Sequence, residues 1–301
     1  LTGLCNMLLG DLFAVSSALF WSFSVILMRI AGYQIPPIPL TFFKNCIAII
    51  CLVSVMLVLG ESFFIDLSRA DYLRLTFSAV IGICFADPMI AAALNRLGAS
   101  LQALADCAYS PAITCIGFLM FGERLTNWEL IGGFLVVSGV FVGATMTAEI
   151  KSSKDLMVGI LLAASAHIIM AFSILMVRDI YRDSSIFWVS SYRYLIAIIV
   201  MILWAYIKHP HNVKEKLFLG FYRPDTWKMM IPMSVFGSFL AATTWMAGFK
   251  YLEAGRAAIY NQLSTVFIIL LAYFLLKEQF TWRKAIGVIL ALIGAYIVAS
   301  Q

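Results

Sequence analysis

Two aspartates, Asp87 and Asp106, are the residues of this chain best placed to do chemistry. They flank the turn at residues 95–98, at about ten residues on either side of its midpoint. At a rise of 1.5 Å per residue, two antiparallel helices would hold both carboxylates about 15 Å from the turn, at one depth. If the two also share a face, one should be protonated near neutral pH, or a cation should bind between them. A carrier coupled to protons or another cation needs such a pair; the alternative is that each acid bonds to a polar neighbour or faces a wet vestibule.

A histidine and several aromatic residues complete the candidate set. His167, in the middle of an apolar stretch, could relay protons or be held by a neighbouring carbonyl or hydroxyl group. Aromatic rings beside small polar residues can bind an apolar or cationic substrate, or they can simply pack against lipid and other helices. The candidate substrate-binding residues are Trp21, Asp87, Asp106, Tyr109, His167, Trp245, Tyr260 and Asn261, and the candidate coupling residues are Asp87 and Asp106.

The elements that must position these residues are apolar helices. The chain has 301 residues, of which 62% are hydrophobic and 12% are charged, whereas soluble domains are nearer half apolar and a quarter charged. This composition argues against a soluble enzyme domain, a disordered chain or a nucleic-acid binder. The net charge is +5, but the basic residues do not form a continuous stripe that could bind a nucleic acid. A spanning helix needs about 20 apolar residues. The apolar stretches cover 10–30, 39–60, 73–94, 99–121, 127–147, 156–178, 186–207, 227–250, 255–276 and 281–300. The predicted fold class is therefore an all-α membrane protein with ten transmembrane helices.

The chain repeats itself. Residues 10–50 align with 159–199 at a shift of 149, so that Phe23, Ser24 and Arg29 meet Phe172, Ser173 and Arg178. From residue 80 the shift is 155, and Glu123, Thr126, Gly132 and Gly139 meet Glu278, Thr281, Gly287 and Gly294. This indicates two five-helix repeats, 1–150 and 151–301. Because five is odd, the repeats must have opposite orientations in the membrane, which is a hallmark of secondary transporters whose substrate site lies where the halves meet.

The repeat also relates the buried charges. Lys44 and Arg193 occupy equivalent positions, whereas the equivalents of Asp87 and Asp106 are Ala242 and Asn261, so any acidic site is asymmetric. The two bases either extend to the membrane surface along their apolar stems, or pair with acids, or bind a substrate carboxylate.

This organisation resembles the EamA-type branch of the drug/metabolite transporter superfamily. The resemblance rests on the ten-helix duplication and on Gly122-Glu123-Arg124-Leu125-Thr126, followed by Gly132 and Gly139 and echoed in the second half. It implies a transporter of small metabolites such as amino acids, nucleobases or amines. It also implies that both termini lie inside, whereas the excess of Lys and Arg in the loops of the other side favours termini outside.

Together with this resemblance, which implies export, the residues predict a secondary active transporter of small metabolites, namely amino acids or other amine-bearing compounds, that works by alternating access. The alternatives are an importer of a small cationic or quaternary amine or of a nucleobase-like metabolite, a membrane enzyme, and a structural or receptor-like membrane protein, against which the repeat argues. The chain has no P-loop and no HExxH or GxSxG motif, so we expect no enzyme activity, cofactor or metal. The expected partners are the bilayer, a small metabolite, and protons or another coupling cation, with no nucleic acid. We expect a monomer, with a dimer as the alternative, in the bacterial inner membrane.

Overall fold

The computed structural model describes residues 2–121, 126–143, 152–251 and 254–299, and its regular elements there are all helices. The first part of the chain forms α1 (Thr2–Ala31), α2 (Pro37–Leu59), α3 (Arg69–Ala79), a first π segment (Val80–Ala86), α4 (Asp87–Leu97), α5 (Ala99–Asp106), α6 (Tyr109–Phe121) and α7 (Asn127–Gly143). The second part forms α8 (Ser153–Leu175), α9 (Arg178–Asp183), α10 (Ile186–Lys208), α11 (Pro224–Ser234), a second π segment (Val235–Ala241), α12 (Ala242–Tyr251), α13 (Ala254–Leu271) and α14 (Trp282–Ala299). Short π and 3₁₀ turns cover Lys214–Phe218, Leu219–Tyr222 and Ala272–Leu276.

Six continuous helical stretches in the described part of the chain are long and apolar enough to cross a bilayer. They are Leu8–Ala31, Pro37–Leu59, Arg69–Leu97, Ser153–Leu175, Ile186–Lys208 and Pro224–Ala247, and shorter apolar helices cover Leu130–Gly143 and Leu263–Leu276. The predicted all-α, multi-pass membrane class is confirmed in this form. The number of ten spans and the inverted repeat stay predictions.

One predicted span is interrupted. The stretch 99–121 forms two helices, α5 and α6, with a turn at Cys107 and Ala108. Pro111 lies in the first turn of α6 and has no N–H to donate to the Cys107 carbonyl, so a continuous α-helix would lose a bond there. The break leaves Asp106 at the end of α5, at a depth where a continuous helix was expected.

Helix bounds in the two parts of the chain coincide under the two sequence shifts. Adding 149 to the ends of α2 gives the ends of α10, and adding 155 to those of α3 and of the first π segment gives α11 and the second π segment. Unusual elements are repeated along with ordinary ones, since a seven-residue π segment is found at both places.

Contacts between the two parts also occur in equivalent pairs. Ser24 Oγ donates to the carbonyl of Met233 at 2.8 Å, and Ser173 Oγ donates to the carbonyl of Ser78 at 2.9 Å. The 149 and 155 shifts convert the first pair into the second. Each serine therefore joins its own helix to a helix of the other half.

Helices α7 and α14 pack backbone to backbone through glycines. A Cβ atom at Gly139 would lie 2.6 Å from the carbonyl oxygen of Gly287, and one at Gly294 would collide with the carbonyl of Gly132. Position 139 faces 287 and position 132 faces 294, so the two helices run antiparallel. Only glycine permits this approach, which small residues commonly provide between membrane helices.

A buried glutamate of the second half completes the start of α5. Glu278 accepts hydrogen bonds from the backbone N–H of Ala99 at 2.6 Å and of Ser100 at 2.9 Å, and from the Ser100 hydroxyl at 2.6 Å. These N–H groups have no partner within the helix, and an anion near them is favoured by the helix dipole. Gly98, at φ 78°, lets the chain turn into α5, and a Cβ there would lie 2.9 Å from the Glu278 carboxylate.

Candidate functional site

A cavity of about 230 Å³ lies among helices from both halves of the chain. Six of the eight predicted substrate-binding residues line it, namely Trp21, Asp87, Asp106, Tyr109, His167 and Trp245. The side chains of Tyr260 and Asn261 lie outside the described residues. Further polar side chains of the wall are Ser17, Lys44, Tyr181, Ser190, Arg193, Tyr194, Ser238, Ser264 and Thr265.

Asp87 reaches the cavity from the first residue of α4, directly after the first π segment. Pro88 follows it and supplies the fixed backbone angle of a helix start. The Asp87 carboxylate lies 2.5 Å from the Nζ atom of Lys44 on α2, and both side chains are buried. Lys44 therefore does not extend to the membrane surface; its charge is balanced inside the protein.

Asp106 has a different base beside it. Its Oδ1 atom lies 3.1 Å from Nε2 of His167 and accepts a hydrogen bond from the Gln102 amide at 2.7 Å. The other ring nitrogen of His167, Nδ1, lies 2.7 Å from the carbonyl oxygen of Ala163. The Tyr109 ring meets the imidazole edge-on, with 6.1 Å between ring centroids.

This arrangement differs from the expected pair of neighbouring carboxylates. Asp87 and Asp106 line one cavity, but each lies next to a base of its own. Lys44 is the basic neighbour of Asp87, and His167 is the basic neighbour of Asp106. The spacing of the two acids along the sequence could not predict the rotation of each helix about its axis, and the partner of each acid depends on that rotation.

Arg193 is the third base of the cavity, and its surroundings are neutral. The side chain is buried, and it donates to the Tyr181 hydroxyl at 3.0 Å and to the Ser173 hydroxyl at 2.9 Å. Within the described part of the chain, its Nε atom has no hydrogen-bond partner and no carboxylate oxygen lies within 4 Å of the guanidinium.

Tyr181 and Ser190 are cavity residues that the sequence did not indicate. Tyr181 lies on the short helix α9, between two predicted spans, where the pattern is typical of a surface loop. Its hydroxyl lies 3.4 Å from that of Ser190 at the start of α10. The hydropathy of such a short helix does not indicate that one of its residues lines a cavity. Only the packing of the folded chain shows this position of Tyr181.

Comparison with known proteins identifies the family that this chain matches and a solved structure that shares its fold. The sequence model of the EamA-like transporter family matches the chain twice, at residues 8–145 and 157–300. An uncharacterized transporter from Synechocystis sp. is 22% identical over 236 residues, which cover 77% of this chain and 66% of that protein, just under two thirds of its length. A solved crystal structure has the same fold, with a TM-score of 0.70, 17% identity, and 96% and 95% of the two chains covered.

Proposed function

Because this chain belongs to the EamA-like transporter family, we propose that it is a secondary active transporter that exports small amine-bearing metabolites, amino acids among them, by alternating access. The observation that carries the proposal is the buried cavity whose wall combines three bases, two acids and several aromatic rings. Ionisable residues inside membrane helices are costly and mark substrate and ion pathways. The bacterial inner membrane is the proposed location.

The size of the cavity favours a small solute. Its volume of about 230 Å³ is below the roughly 300–1,000 Å³ of sites for drug-sized ligands. Aromatic side chains of Trp21 and Tyr109 offer faces to which a substrate ammonium group can bind.

The reciprocal contacts support an inverted repeat and hence alternating access. The Ser24–Met233 and Ser173–Ser78 bonds exchange under the sequence shifts, as do the Gly139–Gly287 and Gly132–Gly294 contacts. Reciprocal pairs of this kind are what a two-fold axis produces. A carrier built this way can exchange the conformations of its two halves around a fixed central site.

For energy coupling we infer that the Asp106–His167 pair holds the transported proton. The Ala163 carbonyl can only accept, so Nδ1 of His167 must carry a hydrogen. The 3.1 Å contact between Nε2 and Asp106 then needs one further proton, on either atom, because two lone pairs would otherwise face each other. Loss of that proton breaks the link between α8 and α5, which ties protonation to helix position.

Transport itself is tested with the purified full chain in liposomes. We expect efflux or uptake of at least one amino acid or amine from a metabolite panel, and acceleration by an imposed pH gradient. Protein-free liposomes and liposomes with heat-inactivated protein are the controls. Absence of flux for every solute in the panel would refute the proposal.

Asp106→Asn tests the coupling. The amide keeps the shape of the side chain but cannot hold the proton, so we expect gradient-driven flux to fall about 100-fold, within the range general acid–base groups contribute. Solute exchange without a gradient should persist. Asp66→Asn is the matched control, since Asp66 is an exposed acid in the loop before α3. Asp87→Asn in the same assay decides whether the other acid is the coupling group; native gradient dependence in Asp106→Asn would exclude Asp106.

A further inference from the structure

The two halves of the chain have a basic residue at equivalent positions, but only in the first half does a carboxylate neutralise the charge of that residue from the equivalent helix position. Lys44 on α2 pairs with Asp87 on α4. The repeat equivalents are Arg193 on α10 and Ala242 on α12, and both line the cavity. Helices α10 and α12 pack together, as α2 and α4 do. The second half therefore keeps the base and lacks the acid.

The Arg193 guanidinium is correspondingly left with an unbalanced charge. It is only 5% exposed, and its two hydrogen-bond acceptors, Tyr181 and Ser173, are neutral hydroxyls. The Nε atom is buried without any acceptor among the described residues. A guanidinium has five N–H donors and is always charged, so this one has donors left over in a poorly solvated place. Such a group is costly unless an anion joins it.

Neutral donors beside Arg193 suit an anionic guest. The Tyr181 hydroxyl accepts a bond from Arg193, so its own hydrogen can be donated either to the Ser190 hydroxyl or to a bound anion. The Ser190 hydroxyl lies 3.4 Å away from that of Tyr181, and the Ser238 hydroxyl, also in the cavity wall, has no partner among the described residues. The acids of the cavity are occupied elsewhere, Asp87 by Lys44 and Asp106 by His167.

We propose that Arg193, together with the space left by Ala242, is the subsite for the carboxylate of the transported substrate. The proposal rests on the transport function above and narrows the substrate to a molecule that carries a carboxylate beside its amine. The substrate carboxylate takes the place that Asp87 takes in the first half, and forms charge-assisted hydrogen bonds with the guanidinium.

A ligand panel tests the substrate class. The purified full chain is mixed separately with each proteinogenic amino acid and with the carboxamide of that amino acid. The carboxamide keeps the amine but has an uncharged amide group in place of the carboxylate. Sodium chloride and sodium phosphate are tested as inorganic anions. We expect at least one amino acid to raise the thermal unfolding midpoint while its amide does not. Equal stabilisation by the amide, stabilisation by inorganic anions alone, or no stabilisation by any amino acid would overturn the proposal.

Ala242→Asp tests the position directly. It supplies in the second half the carboxylate that the first half has, and it should neutralise Arg193 and weaken binding of the stabilising amino acid about tenfold or more. Ala242→Asn has nearly the same size without the charge, so the difference between the two variants isolates the electrostatic effect. Equal affinity of the Asp and Asn variants would overturn the proposal.

Arg193 is tested in parallel. Arg193→Gln should lose binding of the amino acid, and Arg193→Lys, which keeps the charge, should retain part of it; equal binding by both variants would overturn the proposal. Flux measurements separate this inference from the general function. If liposomes containing the native chain carry amines without a carboxylate as well as amino acids, the subsite fails and transport stands. If they carry no solute at all, both fail.

Discussion

The buried bases Lys44 and Arg193 lie at equivalent positions of the two halves but have different partners, a carboxylate for Lys44 and neutral hydroxyls for Arg193. Lys44 and Asp87 form a pair whose side chains are 9% and 12% exposed. A buried ion pair adds little net stability compared with apolar residues of the same size, but removing one partner leaves the other as an uncompensated buried charge, which is strongly destabilising. The first half therefore contributes a neutral pair to the cavity, and the second half contributes a positive charge.

Lys44→Met should show how strongly the pair is coupled. The variant leaves the Asp87 carboxylate buried without its base, and we expect a loss of about 3 kcal/mol at pH 8, at the lower end of values for broken buried pairs. Adding Asp87→Asn to Lys44→Met removes the stranded charge and should recover most of the loss. Unfolding of the two single variants and the double variant by denaturant supplies the measurement. Equal stability of the Lys44→Met variant and the double variant would contradict this reasoning.

The sequence indicates which residues line the cavity better than it indicates how those residues pair with one another. Intramembrane charge is rare, so Asp87, Asp106 and His167 stand out in an apolar sequence. Their partners depend on helix rotation and on which helices touch, and neither follows from the order of residues along the chain. Tyr181 shows the limit most clearly, because its position over the cavity depends on a short helix in an apparent loop.

The elements themselves follow from the apolar pattern, except where proline or a π segment intervenes. The predicted stretches 39–60 and 186–207 differ from α2 (Pro37–Leu59) and α10 (Ile186–Lys208) by two residues or fewer at each end. The stretch 99–121 is broken at Cys107, and the two π segments add a residue per turn just before Asp87 and Ala242. Hydropathy cannot detect such changes, since an inserted residue in a continuous apolar run leaves the composition unchanged.

Packing of α7 on α14 makes a prediction about single glycines. In Gly139→Val the new side chain would meet the Gly287 carbonyl and the Ala291 backbone nitrogen at 2.6 and 2.8 Å. Because the backbone atoms of α14 can move away only if the helix itself shifts, we expect overpacking to lower the free energy of unfolding by about 1–3 kcal/mol.

Gly133→Ala on the same helix is the matched control for that variant. An added Cβ at Gly133 meets only the Pro111 Cβ atom, at an ordinary 3.5 Å. We expect unchanged or slightly raised stability, since alanine is favoured over glycine within a helix. Thermal unfolding of both variants in the same detergent provides the comparison, and equal destabilisation would mean that the close approach is not what glycine is needed for.

On the scale of the whole molecule, the repeat is readable from sequence because glycine, glutamate and arginine recur at constant spacing. The family model matches each half in turn. The direction in which the halves cross the membrane is harder to read, because basic residues favour one side and the family resemblance the other. Loop charge is a weak guide to orientation here, since a single long loop, 208–226, carries three of the ten lysines together with Arg223.

Opposite orientation of the halves is tested by labelling. Single cysteines are placed at Tyr33 and at Arg182, exposed positions that are equivalent under the shift of 149, in a chain whose six native cysteines have been replaced. A membrane-impermeant maleimide should label the two from opposite faces of sealed vesicles. Labelling of both from the same face would mean that the repeats are parallel, and alternating access by exchange of the halves would lose its basis.

The capping of α5 by Glu278 has a consequence for biosynthesis. The backbone N–H of Ser100 is made 178 residues before its acceptor. Until those residues have been made, the first N–H groups of α5 lack this acceptor and must be solvated in another way. Only when the chain around residue 278 has been inserted can that solvation be released. The Glu278 carboxylate thus completes a helix start that was made 178 residues earlier in the chain.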